Sequence, residues 1–303
     1  MNRFIKKYAS LIPILLLSVF ISACSNGSIK EGSLEYTANQ IIPPSEFGAS
    51  LAASKYEDTV WALYGNAEYY TIISFNNDGQ SLSSMRIEEL ETISGFTMTY
   101  GGIIVLVAET NNALEVHKIG MDGTVLSVSQ LDIKVAGVNN SVECISAIAE
   151  PTGNIYIAWR SAGTNGITCL SEDGTTLFTL STNETIYGIA LLDDNPIVLL
   201  NGNQLRMINQ KEMAWSSPVD LKGAYINIFS GDKGIDYLDD GQSLIEFDYN
   251  KNALTRLFNW TSLGIPSPIW MVKNNSVFIA YTYQDGVQTI TAQERTDGEA
   301  DTR

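Results

Sequence analysis

The sequence predicts an all-β, six-bladed β-propeller of four-stranded antiparallel blades. Three observations carry this. Short apolar runs of strand length ("VWALYG", "IIVLVAE", "NIYIAWR", "NPIVLLNG", "KGIDYLDD" and "NSVFIAYTY") recur about every 43 residues from Val60 to Val277, within the propeller range of repeat lengths. Asp-Gly pairs flanked by alternating apolar residues stand at Asp78-Gly79, Asp122-Gly123 and Asp173-Gly174, and this is the strongest short-range hairpin signal. Helix-period patterning is absent after residue 23, which removes α/β alternatives.

Each unit reads as strands A to D from the axis outward. Strand A is "FGASLAAS", "SGFTMTYG", "CISAIAEP", "IYGIALLD", "YINIFSG" and "SPIWMVKN" in the six units. Strand B is the apolar run quoted above. Strand C leads into the turn and strand D leaves it, as in "TTLFTL" and "ALTRLFNW". Weaker turns, Asn209-Gln210 and Asn250-Lys251-Asn252, replace Asp-Gly in later units. The sixth unit has A, B and C ("VQTITAQE") and then runs into the polar "RTDGEADTR" without a strand D. The segment "SLEYTANQII", residues 33–42, is a spare strand just before the first strand A. It is expected to complete the last blade, because a closed ring leaves no open seam between the chain ends.

The N-terminus carries an address. Arg3, Lys6 and Lys7 precede an apolar "LIPILLLSVFI", followed by small Ser22 and Ala23. The run is shorter than the ~20 residues a bilayer-spanning helix needs. Within "SVFISACSNGS", the order Ile-Ser-Ala-Cys resembles the lipobox of bacterial lipoproteins. That resemblance implies cleavage before Cys24, lipidation of Cys24 and a lipid anchor on the extracytoplasmic face of the cell membrane. Several acyl chains on one residue hold a protein stably, where one chain does not. The expected division is signal peptide 1–23, linker 24–32, propeller 33–295 and polar tail 296–303.

Composition narrows the function. Hydrophobic residues make up 45% of the 303, enough for a packed core. Lys and Arg number 18 against 34 Asp and Glu, a formal charge of −16, and loss of the basic leader takes the mature chain to −19. Nucleic-acid binders present a basic face, so no nucleic-acid partner is expected. An acidic chain gains no attraction to anionic lipid either, so membrane contact is expected through the acyl chains. Cys144 and Cys169 fall on strands A and C of one blade, two ladder spacings or roughly 9–10 Å apart. A disulfide needs Cα atoms within ~7 Å, so two buried free thiols are expected. The single histidine, His117, sits in the strand-like "ALEVHKIG" and is expected on a strand surface. No metal site and no cofactor are expected.

Motifs of catalysis are missing. "SEDGTTLF" lacks one residue of the sialidase Asp box and its tryptophan, and reads as a hairpin turn. "DYNKN" begins like a calcium loop, but Ala253 and Asn259 stand where glycine and glutamate belong. The acid pairs Asp193-Asp194 and Asp239-Asp240 lie at strand ends, where acids occupy turns. No nucleophile elbow or phosphate-binding glycine loop is present. The chain is therefore expected not to be an enzyme.

A propeller directly behind a lipobox, with "LFNWTSLGI" after a strand D, resembles lipoproteins of clostridia-like bacteria. These place such repeats in front of the extracellular solute-binding domain of an ABC importer. This chain ends at Arg303, ahead of any such domain. The resemblance implies a lipid-anchored module associated with solute uptake, binding a small solute, a glycan or a protein. A scaffold subunit of an envelope assembly complex and a glycan-active enzyme are the alternatives. The D–A and B–C loops of such a ring share one face. That face receives Trp159, Arg160, Tyr281, Tyr283 and Trp260, with Asn111, Asn112, Asn165 and Asn201 on the same rim. Aromatic faces with amide donors suit sugars or peptides; the alternative for Trp159 and Trp260 is packing between blades.

Overall fold

The structure, a computed structural model, describes residues 29–43, 49–65, 69–87, 90, 92–110, 113–131, 133, 141–231 and 233–293. Cys24, Asn111, Asn112 and the tail expected over 296–303 lie outside these residues. Two strands, β1 (Lys30–Glu31) and β2 (Glu35–Ile42), precede the first blade. Blade 1 is β3 (Ala49–Tyr56), β4 (Thr59–Gly65), β5 (Tyr70–Phe75) and β6 (Ser81–Ile87). Blade 2 is β7 (Thr92–Met98), β8 (Ile104–Thr110), β9 (Ala113–Ile119) and β10 (Val125–Gln130). Blade 3 is β11 (Glu143–Ala149), β12 (Ile155–Ser161), β13 (Thr164–Leu170) and β14 (Thr176–Thr182). Blade 4 is β15 (Ile186–Leu192), β16 (Asn195–Leu200) and β17 (Gln204–Asn209), with an outer strand broken into β18 (Ala214–Trp215) and β19 (Val219–Asp220). Blade 5 is β20 (Asn227–Ser230), β21 (Ile235–Asp239), β22 (Ser243–Asp248) and β23 (Ala253–Asn259). Blade 6 is β24 (Trp270–Asn274), β25 (Val277–Thr282) and β26 (Gly286–Gln293), and its fourth strand is β2.

The ring closes as expected. β2 pairs antiparallel with β26 from Glu35 opposite Gln293 to Ile42 opposite Val287. Residues 30–31, expected in a linker, instead form β1, a fifth strand parallel to β23 on the outer edge of blade 5. Two residues are too short for any alternating pattern to announce.

The core lies between blades rather than within a single layer. Six apolar clusters fill the six blade junctions, for example Val107, Val116, Cys144 and Trp159 between blades 2 and 3. Strands B and C are therefore covered on both faces. This is why they read as continuous apolar runs rather than alternating ones. Each fully buried Leu, Ile or Val contributes roughly 1.5–3 kcal/mol. The two cysteines are free, and they project to opposite sides of blade 3: Cys144 joins the blade 2–3 cluster and Cys169 the blade 3–4 cluster. Burial raises both thiol pKa values to about 12.

The Asp-Gly hairpins form, with one more turn residue than a two-residue loop. At Asp173-Gly174 the Gly174 N–H donates to Ser171 O, and Gly174 holds a φ of +94°. Asp173 accepts from the Thr175 N–H at 3.0 Å. Asp122-Gly123 repeats this with Gly120 and Thr124. This is a β-turn closed by a left-handed glycine, followed by a bulge, at the C–D corner.

Polar latches join the A–B and C–D turns of neighbouring blades. Asn274 donates to Asp58 O and Asn77 Oδ1 across the blade 6–1 seam. Lys118 reaches Ser171 O and Glu172 O across the blade 2–3 seam. Buried Glu150 accepts from Thr152, Asn154 and, across the blade 3–4 seam, Gln210 at 2.7 Å. A buried carboxylate is tolerated when it is hydrogen-bonded in this way. In the same layout, Asp248 of the "DYNKN" turn is taken up by Lys251 at 2.6 Å. His117 lies on β9 with a largely covered side chain, 3.4 Å from Glu115.

Candidate functional site

The six strands A surround a channel of about 620 Å³ along the ring axis. Its lining runs from Leu51 and Ile269 at the start of strands A to Glu57 and Tyr100 at their ends. The first end, shared by the D–A and B–C loops, is called the entry face here, and the other the turn face. A volume of this size falls within the several-hundred-Å³ range of small-molecule sites.

A repeated irregularity shapes the entry mouth. In blades 1 to 4 the A–B register slips once, at the same place: between Ser50 and Ala52, Ile93 and Gly95, Cys144 and Ser146, and Ile186 and Gly188. The residue skipped each time, Leu51, Ser94, Ile145 or Tyr187, lines the channel. A bulge frees one residue from the ladder and re-aims its side chain. The residue after the bulge is small for a packing reason. A Cβ on Gly95 would lie 2.6 Å from Cys144 Sγ, and one on Gly188 3.0 Å from Asn227 Oδ1 of the next blade. Ile269 and Asn227 complete the lining in blades 6 and 5.

The mouth is thus apolar on four blades and polar on two. Of the apolar lining, Leu51 is 38%, Tyr187 39% and Ile269 37% exposed. Ser94 of blade 2 and Asn227 of blade 5 sit across the axis from one another. The Ser94 hydroxyl is covered but has no hydrogen-bond partner within the protein. Asn227 spends its carbonyl on the Ile228 N–H at 2.9 Å. At the turn face, burial and the charge of Asp194 two blades away both raise the Tyr100 phenol pKa.

The described residues among those singled out from sequence map to the entry face, but they do not form one surface. Trp159, Trp260 and Tyr281 are 1%, 1% and 2% exposed. Trp159 donates to Thr168 Oγ1 at 3.0 Å and folds over Gly166, where a Cβ would collide with its ring. Trp260 donates to Asp239 Oδ1 at 2.9 Å. Asp239 also accepts from Ser267 at 2.6 Å, and the pair fastens the blade 5–6 connection. Burial pushes the Asp239 pKa up despite these donors. Tyr281 stacks on Trp270, centroids 5.9 Å apart. The aromatic platform expected from these three is therefore core. Arg160 pairs with Glu143 at 2.6 Å on the rim, Asn165 is buried, and Tyr283 is exposed. The residues at the channel mouth carry no motif; their signal is the buried–free–small triplet at the start of strand A.

No family model matches the chain, and no curated protein matches it. Solved structures match its fold. A virginiamycin B lyase from Staphylococcus aureus is 10% identical, with a TM-score of 0.56, over 85% of this chain and 99% of that one. A gluconolactonase from Xanthomonas campestris is 13% identical, with a TM-score of 0.59, over 87% and 91%. The WD40 domain of Neurospora crassa Pan2 is 9% identical, with a TM-score of 0.57, over 87% and 97%. At these identities the likeness is one of fold. It nonetheless corrects the expectation that the chain is not an enzyme. Rings of this shape serve enzymes as well as WD40 domains, so the lack of a familiar motif is no argument against catalysis.

Proposed function

We propose that the protein is a membrane-anchored, extracytoplasmic β-propeller that captures an amphipathic ligand at the entry mouth of its channel. The observation that carries this is the run of four bulges, which turns Leu51, Ser94, Ile145 and Tyr187 into one mouth. In this reading the apolar part of a small solute, glycoside or peptide lies against Leu51, Ile145, Tyr187 and Ile269. Its polar groups face Ser94 and Asn227. The anchor rests on the lipobox at Cys24, and the link to solute uptake on the lipobox-plus-propeller arrangement.

A thermal-shift panel of peptides, oligosaccharides and small amphiphiles tests the mouth, since a ligand of the folded state raises apparent stability. Each binder is then followed by mass spectrometry for conversion, which separates capture from turnover. The expected result is a binder whose effect disappears in Tyr187→Ala. A panel without a shift, or a binder indifferent to Tyr187 and Ile269, overturns the reading. Cys24→Ala is expected to release the protein from membranes; a variant that still sediments after a carbonate wash overturns the anchor.

A second reading, a subunit of an envelope assembly complex, draws on the outer edge of blade 2. There Val125, Leu126 and Val128 of β10 are all exposed on an edge strand. Such edges are ready-made for protein partners.

A further inference from the structure

The short strand β1 fixes where the chain leaves the ring. Lys30 lies opposite Thr255 and Glu31 opposite Arg256. The Gly32 N–H donates to Arg256 O at 2.7 Å, and Arg256 pairs with Glu31 at 2.5 Å. Ile29 packs against the blade 4–5 core alongside Tyr249 and Leu254. β1 is parallel to β23, which runs from the turn face to the entry face. At Ile29 the N-terminal direction of the strand therefore points to the turn face.

Five residues, 24–28, separate Ile29 from the lipobox cysteine's own position onward. Fully extended, they span at most ~18 Å. The entry rim stands five residues further up β23, at Asn259, or ~17 Å from the level of Leu254. To bring that rim to a bilayer, the tether would have to reverse direction and be drawn taut, at the cost of its conformational entropy. The turn corner of blade 5 needs neither. That corner presents Lys233, Asn250 and Lys251, polar tips that suit a headgroup layer rather than insertion.

We propose that the turn face at blade 5 rests on the bilayer surface and that the entry mouth opens away from it. This rests on the anchoring of Cys24 in the proposed function and adds its geometry. Ligand would then reach the mouth from the aqueous side, not from the lipid.

The test uses protein purified from membranes, with the mass of the N-terminal residue reporting acylation. A fluorophore is attached at Lys251→Cys on the turn face or Gln242→Cys on the entry face of the same blade; Cys144 and Cys169 are buried and do not compete. Energy transfer to a headgroup-labelled lipid in neutral vesicles is then compared. Position 251 is expected to transfer at least ~2-fold more strongly than 242, because the six-residue β22 between them sets them ~20 Å apart. Gly32→Val is the control. A Cβ there meets Arg256 O at 2.9 Å, so β1 should detach, lengthen the free tether to Glu35 and shrink the contrast. Equal or inverted transfer with acylated Cys24 overturns the orientation while leaving the anchor intact. A contrast that survives Gly32→Val overturns the role of β1. An unmodified Cys24 overturns the anchoring reading, and the orientation with it.

Discussion

Replacing Asp236 by asparagine should change how stability depends on pH. Asp236 lies on β21 with no exposed surface. Its Oδ1 accepts a single long hydrogen bond, 3.3 Å, from the Gly231 N–H, and Oδ2 has no partner. Burial raises its pKa to about 8, the Gly231 hydrogen bond opposes this, and the charge of Asp193 adds to it. The unfolded chain titrates this carboxyl near 3.8. Between those values the folded state holds a proton that the unfolded state has lost. The stability this group contributes is therefore complete below about pH 4 and is lost as pH rises towards 8. One proton of difference corresponds to roughly 1.4 kcal/mol per pH unit, hence roughly 4 kcal/mol between pH 5 and pH 8. Asparagine keeps the shape and the Oδ1 acceptor, and carries no charge to desolvate. Its amide can also donate towards the Tyr249 hydroxyl, which is buried without a partner beside it. Urea unfolding of the two proteins at several pH values from about 5 to 9 reads the difference directly. The stability of the variant relative to the wild type should rise steadily from about pH 5 to about pH 8 and level off above it. Curves that stay parallel across this range would refute the buried, protonated carboxyl.

Other outcomes follow from the same packing. Deleting residues 35–42 should leave β26 with an open edge and lower the melting temperature of the whole ring; a melting temperature equal to that of the full chain refutes ring closure by β2. Trp260→Phe should cost about 1–3 kcal/mol by removing one of the three donors to buried Asp239, and Trp260→Ala about 3–5 kcal/mol, both measured by denaturant unfolding. Neither should change ligand affinity selectively. Gly95→Val should destabilise the blade 2–3 seam, since the added atoms meet Cys144 Sγ; unchanged stability would mean that the strands A are not held that close. Cys144 and Cys169 should resist alkylation in the folded protein, where burial holds the thiols at about 12, and both should react after denaturation without reductant.

The fold was legible because its signals are periodic. Six apolar runs and three Asp-Gly corners mark the blades, and the missing strand after "VQTITAQE" points to the spare one at residues 33–42. The site was less legible because the cues for a surface aromatic and a packed one coincide at a strand end. Trp159 reads as a rim residue from its position on β12. Gly166 on the neighbouring strand is the informative residue, since only the absence of a Cβ lets the indole fold back over its own sheet. The mouth was invisible for the opposite reason. Leu51 and Tyr187 are ordinary strand residues until a bulge drops them from the ladder, and one residue of slip leaves the composition unchanged. β1 escaped because its pairing is made by backbone and by Arg256, far away in sequence.

The mouth and the core make opposite predictions for side chains of similar size, which allows the functional reading to be tested without a known ligand class. Trp260 and Tyr281 are enclosed, so truncation removes packing and should lower stability. Tyr187 and Ile269 are more than a third exposed and line a channel, so little packing is lost when they are cut back. Tyr187→Ala and Ile269→Ser should each change stability by less than ~1 kcal/mol. Ser94→Ala should be neutral or slightly stabilising, because its hydroxyl is covered and has no partner to lose. If the mouth is the binding site, these three variants nevertheless weaken the binder found by the panel, Tyr187→Ala most through lost stacking area. Calorimetric affinity beside denaturant unfolding separates the two effects. Variants that lose stability and affinity in parallel would mean that the bulges serve only to fit six strands around the axis. Variants that lose neither would mean that the ligand is held elsewhere on the ring.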